Sequence, residues 1–320
     1  MKEARLIINP QGTEKVIRPP YASVVDNVLA IGDKKEMDIS WRNIFGEMKQ
    51  TADTWKEIYP YQDETHVNLD AIAEYPDKPF LIWWASDMHI GNVDTEYEIL
   101  QRHIELIENT PNCGLVTVGD DIDFGILPRF EVRFMQTATP MVQAWTAKDL
   151  MAEFNGRNPR GKQLVLAHVI GNHTHSMMQT TGVLYEEFYR QSKAAILPGL
   201  GQMFLNYGEE NYEVGLAHKY FGRSRLNVTL EGKRLMEYHY PNADVAVVGD
   251  FHKSAFEKFN KGGKTRLVVR PGTYRVGTGL FENNRGWGKG DLGGSCTVFY
   301  PDKHDFQAFN TLEEGINFVK

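Results

Sequence analysis

Apolar residues in this chain gather into short runs, and five of the runs end in a polar cluster. Phe80–Ala85 is a continuous hydrophobic block followed by Ser86-Asp87-Met88-His89-Ile90-Gly91-Asn92. Its length, its aromatics and the glycine beyond it predict a buried strand rather than a helix. Gly114–Val118 leads into Gly119-Asp120-Asp121-Ile122-Asp123, and Gln163–Ile170 leads into Gly171-Asn172-His173. Tyr212–Ala217 is followed by His218, and Asp244–Val248 by Gly249-Asp250-Phe251-His252. Between the first two runs, Asp94–Glu108 carries Ile99, Leu100, His103, Ile104 and Ile107 on one stripe. That spacing predicts an amphipathic helix with His103 packed against the sheet. Pro140–Phe154 reads as a helix with Val142, Trp145, Leu150 and Phe154 as its apolar positions, and Thr181–Ala195 as another.

Strand, polar exit, helix, strand is the rhythm of a βαβ unit. Met203–Tyr207, Lys253–Phe259, Arg266–Val269 and Ser295–Tyr300 read as strands of a second sheet, and Asp305–Val319 as a strand and a closing helix. The expected fold is α/β: a four-layer α/β/β/α sandwich of two mixed sheets flanked by helices over residues 79–320. Residues 1–78 differ. Pro10, Pro19, Pro20, Pro60 and Pro76 punctuate them, Arg5–Ile8 could form a strand, and Ile39–Tyr59 has helical spacing through Trp41, Ile44, Phe45 and Met48. They are expected to form a small, mostly helical N-terminal appendage. It is either a packing extension with core tryptophans or a recruitment module such as a helix-turn-helix-like contact with nucleic acid.

Composition narrows the function. With 35 Lys and Arg against 42 Asp and Glu the net charge is -7, which argues against a general polyanion-binding surface but leaves room for a local basic groove. Cys113 and Cys296 lie far apart, without zinc-knuckle or disulfide-framework spacing, and read as buried free thiols in a reducing compartment. No run approaches the roughly 20 apolar residues of a membrane span, and Met1-Lys2-Glu3-Ala4-Arg5 leads into no signal-peptide core. A cytoplasmic protein of a host, or of a virus replicating in one, is expected, with no membrane partner.

Carboxylate, amide and imidazole groups at strand exits suit a metal ion, because ligands in open α/β sheets sit outside the carboxyl ends of strands. The ordered set from Asp87 to His252 resembles the calcineurin-like metallophosphoesterases, over about Pro79–Tyr300. The superfamily includes protein phosphatases, small-molecule phosphodiesterases and a DNA-repair exonuclease. The resemblance implies two divalent ions, with Asp120 bridging them. It places Asp87, His89 and His252 on one ion and Asn172 and His218 on the other, with His173 as the general acid that stands near the metals. Asp123 is the candidate carboxylate supporting His173.

Two positions depart from the family pattern. Asp250 stands where a histidine ligand is usual. As a ligand it would make its site harder and more anionic, favouring Mn or Mg over Zn. Thr174 stands where an acidic residue usually follows the histidine. Mn is the expected metal, with Fe, Zn, Ni, Co or Mg as alternatives.

Candidate substrate contacts are His175 and, in the glycine- and aromatic-rich segment 271–294, Arg275, Arg285 and Trp287. Arg129 and Arg133 are further candidate phosphate contacts. The resemblance implies a binuclear phosphoesterase that cleaves a phosphodiester of a nucleic-acid end or nucleotide through a metal-bridging hydroxide. A small-molecule nucleotide phosphodiesterase or phosphomonoesterase is the nearer alternative. An inactive scaffold that keeps the fold is the alternative of another class. His66, His168, His239 and His304 have no motif around them and are expected to be structural.

Overall fold

Which way each strand faces follows from a period of two. The computed structural model describes residues 5–8, 14–17, 45–46, 49–50, 63–124, 135–181, 189, 192–277 and 289–320. The chain divides into two units, Met1–Pro60 and Tyr61–Lys320. In the first, β1 (Arg5–Ile8) pairs antiparallel with β2 (Glu14–Ile17), Arg5 opposite Ile17. Of the expected helix over Ile39–Tyr59, residues 45–46 and 49–50 are helical and the rest lies outside the described residues.

The second unit runs β3 (Glu64–Asn68), β4 (Phe80–Ala85), α1 (Tyr97–Asn109), β5 (Cys113–Thr117), α2 (Pro140–Glu153), β6 (Val165–Val169), α3 (Asn172–Thr181) and β7 (Ala195–Leu197). It continues with β8 (Leu200–Tyr207), β9 (Glu210–Ala217), α4 (Leu230–Tyr238), β10 (Val245–Val248), β11 (Ser254–Lys261), β12 (Lys264–Pro271), β13 (Cys296–Phe299), β14 (Phe306–Phe309) and α5 (Leu312–Val319). One six-stranded sheet has the order β14-β13-β4-β5-β6-β7, the other β11-β12-β10-β9-β8-β3. In the first, β4 to β7 are parallel and β13 and β14 antiparallel. In the second, β9, β10 and β12 are parallel.

All six residues of β4 are buried, but alternate ones serve different cores. Leu81, Trp83 and Ala85 pack with Leu100 and Ile107 of α1, Ala147 and Met151 of α2, and Leu312 and Ile316 of α5. Phe80, Ile82 and Trp84 face the other sheet, meeting residues such as Leu205, Val214, Leu216, Val247 and Val269. On the far side, Leu235 and Met236 of α4 cover Ala217, Ala246, Val248 and Val268. The result is the expected helix–sheet–sheet–helix sandwich, fully buried strands being the mark of sheets covered on both faces.

Three details differ from the sequence reading. The strand at Ser295–Tyr300 belongs to the first sheet, where Cys296 pairs with Trp83 and Trp84 Nε1 donates to Thr297 Oγ1 at 2.8 Å. Alternation identifies a strand but not its neighbour. Glu64–Asn68, placed by the sequence before the 79–320 domain, forms an edge strand beside β8, and the second unit begins at Tyr61. On α2, Val142 and Trp145 are exposed while Gln143, Ala147 and Met151 turn inward. Gln143 tolerates burial because its Oε1 accepts from Phe124 N–H (2.8 Å) and its Nε2 donates to Ala138 O (3.0 Å). The expected helix over Thr181–Ala195 falls mostly outside the described residues, as do Arg129 and Arg133. Among the described residues no helix is long and apolar enough to cross a membrane.

Candidate metal centre

Each ligand-type residue leaves the carboxyl end of a strand. Asp87 and His89 follow β4, Asp120 and Asp123 follow β5, and Asn172, following β6, opens α3; His218 follows β9, and Asp250 and His252 follow β10. The backbone is bent to present them. Asp87, His89, Asp120, Asp250 and His252 all have positive φ, 50°, 47°, 53°, 64° and 56°, a left-handed conformation that costs roughly 1–2 kcal/mol for a residue with a side chain. Backbone bonds hold it: Asp87 N–H donates to Gly119 O and His89 N–H to Asp120 O, both at 3.0 Å. The room is made by glycine. A Cβ on Gly171 would stand 2.2 Å from Asp120 N, and one on Gly249 2.9 Å from Val118 O.

Two groups result. In the first, Asp87 Oδ1 lies 3.2 Å from His252 Nε2 and 3.8 Å from His89 Nε2, and the two Nε2 atoms are 3.1 Å apart. In the second, His218 Nε2 lies 3.2 Å from Asp120 Oδ2 and 3.2 Å from Asn172 Oδ1, with Asp250 Oδ1 at 3.8 Å. Asp87, Asp120 and His218 also offer atoms within 4.8 Å of one another, so the groups are contiguous and Asp120 faces both.

The donor set fits cations. Asp87 Oδ1 is buried without a hydrogen-bond donor among the described residues, while Oδ2 accepts from Asp250 N–H (3.0 Å) and Ser86 Oγ–H (2.5 Å). His218 Nδ1 is 2.8 Å from Val118 O and His89 Nδ1 is 2.9 Å from Asp123 Oδ1. Each Nδ1 thus faces an oxygen that can only accept, and His218 Nε2 faces two more, Asp120 Oδ2 and Asn172 Oδ1; a cation taking the place of the proton there would use the Nε2 lone pair. Burial opposes charge on His218, but Asp120 outweighs it and lifts the imidazole to about 9. Burial likewise opposes ionisation of Asp120, and His218 and His173 more than reverse that, holding the carboxyl well below its ordinary range. The same field would favour a bound cation at that point. His89 is pushed down to about 4, chiefly by burial, so it is neutral, as a metal ligand must be.

The remaining predicted residues surround these two groups or lie outside the described residues. The carboxylate of Asp123 lies nearest His89, within 4.8 Å of a His173 ring nitrogen as well, and the Asp123 backbone carbonyl faces His173 Nδ1. His173 stands against the bridge position, its N–H donating to Asp120 Oδ1 at 2.9 Å and its Nε2 3.7 Å from Asp120 Oδ2. Asp250 is shared: its Oδ2 forms an ion pair with Arg223, with Lys219 Nζ at 3.7 Å. Arg275 Nη1 lies 3.9 Å from Asp123 Oδ1, at the edge of the cluster. His175 is exposed on α3. Arg285 and Trp287 lie outside the described residues.

Of the histidines expected to be structural, His168 is buried between Thr117 and Ser192, and His66 stacks on Phe204. The sequence missed Arg223, which sits in a glycine-containing loop with no periodic signal. Beside the bridging position, Asp121 Oδ2 accepts from Tyr189 Oη–H at 2.6 Å and burial pushes its carboxyl up to about 7.

The chain is thus a double-sheet α/β sandwich whose strand ends bring carboxylates, an amide and imidazoles to one point. Among solved structures the chain is similar to a predicted phosphoesterase from Streptococcus pneumoniae, at 13% identity over 72% of this chain and 97% of that one, with a TM-score of 0.30. It is also similar to the nuclease MPE of Pseudomonas putida (11%, 71% and 87%, 0.32) and to the NAD nucleotidase of Haemophilus influenzae (11%, 72% and 49%, 0.35). No protein-family model and no curated protein sequence matches the chain. At such identities the functional reading rests on the geometry of this chain itself.

Proposed function

We propose that the chain is a binuclear metal-dependent phosphoesterase acting on a phosphodiester of a nucleic-acid end or a nucleotide. One observation supports it above the rest: two adjoining groups, Asp87/His89/His252 and Asp120/Asn172/His218, meet at Asp120, with Nδ1 of His89 and of His218 turned to an oxygen outside the groups and Nε2 turned inward. Bound there, two divalent ions would neutralise charge on the phosphoryl oxygens and acidify water at neutral pH.

The rest is the work of side chains. Asp120 holds the pair together, and Asp123 and Val118 O fix the His89 and His218 rings. His173, anchored through Nδ1, directs Nε2 as the proton donor to the leaving oxygen. Asp250 contributes Oδ1 to the His218 end, its second oxygen neutralised by Arg223. Mixed oxygen and imidazole donors suit manganese.

The test is elemental analysis of purified protein together with hydrolysis of a chromogenic phosphodiester in added manganese. About two metal equivalents and turnover abolished by Asp120→Asn are expected. Protein that retains no metal under any loading condition would leave only a scaffold.

A further inference from the structure

The loop leaving His218 and the last turn of α4 form a surface that meets the cluster above only at Asp250. Two aromatics there are uncovered, Phe221 at 53% and Tyr238 at 62% exposure, in a loop that also exposes Leu226. Their ring centroids lie 5.5 Å apart. Tyr220 continues the row 4.6 Å from Phe221, and His239 meets Tyr220 edge-on at 5.4 Å, with Nδ1 2.5 Å from its hydroxyl. Large apolar groups are commonly exposed singly, whereas a contiguous exposed group marks a binding surface.

Cations frame this row. The Arg234 guanidinium stands 5.5 Å from the Phe221 centroid. Lys219 and Arg223 both reach Asp250, and Arg225 is exposed in the same loop. Arg223 also lies 3.7 Å from Glu231 Oε1, the other oxygen of that buried acid being held by Arg270 at 2.5 Å. In a chain of net charge -7, four cations beside a strip of aromatic faces form a local exception. They start at Asp250, next to the second ligand group. Flat π-faces with guanidinium and ammonium groups complement a ligand that alternates planar bases with phosphates, since stacking on aromatics and neutralisation of the backbone are the two components of single-strand binding. An aliphatic partner surface would need neither the cations nor the planar rings.

We propose that Tyr220, Phe221 and Tyr238, with Lys219, Arg225 and Arg234, bind the bases and backbone of a single-stranded nucleic acid and lead it to the metal centre. The link to the metal centre rests on the phosphoesterase reading, whereas the binding itself does not.

The experiment is fluorescence anisotropy of a labelled 12-nucleotide oligothymidylate in chelator, so that cleavage cannot deplete the probe. The proteins compared are the full chain, Phe221→Ala/Tyr238→Ala, and the conservative pair Phe221→Trp/Tyr238→Phe. The wild type should bind more weakly as salt rises. The double alanine variant should lose about tenfold or more, the scale of one or two lost base stacks, with its unfolding temperature unchanged. The conservative pair should stay within about threefold of wild type. No oligonucleotide binding by the wild type, or equal affinity in the alanine variant, overturns the proposal. Hydrolysis is measured separately on the wild type: binding that depends on these aromatics without any turnover would overturn the hydrolase reading and leave this one standing.

Discussion

Asp123→Asn removes one charge and keeps the shape of the side chain, so it isolates what the carboxylate does for His89. Asp123 Oδ1 lies 2.9 Å from His89 Nδ1, and Oδ2 accepts from Asn92 Nδ2 (3.0 Å) and from Gln136 Nε2. Burial works against charge on Asp123, and the contact with His89 outweighs it, holding the carboxyl below its ordinary range. Three donors converge on this group, and an amide has only one oxygen to offer them. If that oxygen faces His89, the new NH2 abuts Asn92 and Gln136. If the amide turns over, its NH2 faces Nδ1 and selects the tautomer with the proton on Nε2, which cannot bind a cation. Either way the ring loses the partner that made it a ligand.

Such a loss costs about 10–100-fold in metal affinity, or about 1.4–2.7 kcal/mol. Calorimetric titration with manganese, with metal content measured after dialysis, should show one ion weakened by that factor. The ion at the Asp120/Asn172/His218 end should be little changed, because that group does not touch the Asp123 carboxylate. Excess manganese should restore full occupancy. Two ions bound with wild-type affinity would refute the assignment of His89 as a ligand supported by Asp123.

Three further outcomes follow from buried groups. His168 is fully buried, with ring nitrogens 2.9 Å from Thr117 Oγ1 and 2.7 Å from Ser192 Oγ, and burial pushes it down to about 3. Because the folded value lies below the unfolded one, its contribution is complete above pH 6.5 and is lost as pH falls towards 3. Between pH 8 and pH 5 that amounts to about 2 kcal/mol. Urea unfolding of wild type and His168→Asn at both pH values should show a steeper loss in the wild type, and equal slopes would refute it. Gly171→Ala should drive a methyl into Asp120, lowering manganese capacity and costing about 1–3 kcal/mol; a variant with normal metal content and unfolding temperature would contradict the packing described. Tyr274→Phe removes a hydroxyl 2.5 Å from His103 Nδ1 in a buried pair and should cost about 1–3 kcal/mol in denaturant, against which a change under about 0.5 kcal/mol would count.

What could be read in advance was whatever depends on local order. Apolar runs ending in Asp87-Met88-His89, Gly119-Asp120, Gly171-Asn172-His173 and Gly249-Asp250-Phe251-His252 announce strand exits, and the fold brings these side chains to one point. Contacts set by three-dimensional neighbourhood stayed hidden. Nothing near Asp123 says that its carboxylate turns to His89, because that follows from the left-handed turns at His89 and Asp120. Arg223 meets Asp250 only because the loop after β9 passes over the end of β10. The sheet to which Cys296–Phe299 belongs is likewise decided by its pairing with β4. Val142 and Trp145 were legible as helical residues but not as exposed ones, since α2 carries apolar residues on more than one face.

Asp87, His89, Asp120 and Asn172 come from one sheet, and His218, Asp250 and His252 from the other. Ions held between them would act as rivets through the seam of the sandwich. Cohesion of the two layers and affinity for metal then become one thermodynamic quantity. The denaturation midpoint should climb with the logarithm of free manganese. Truncating a side chain deep in the seam, far from any ligand, should loosen the grip on the ions.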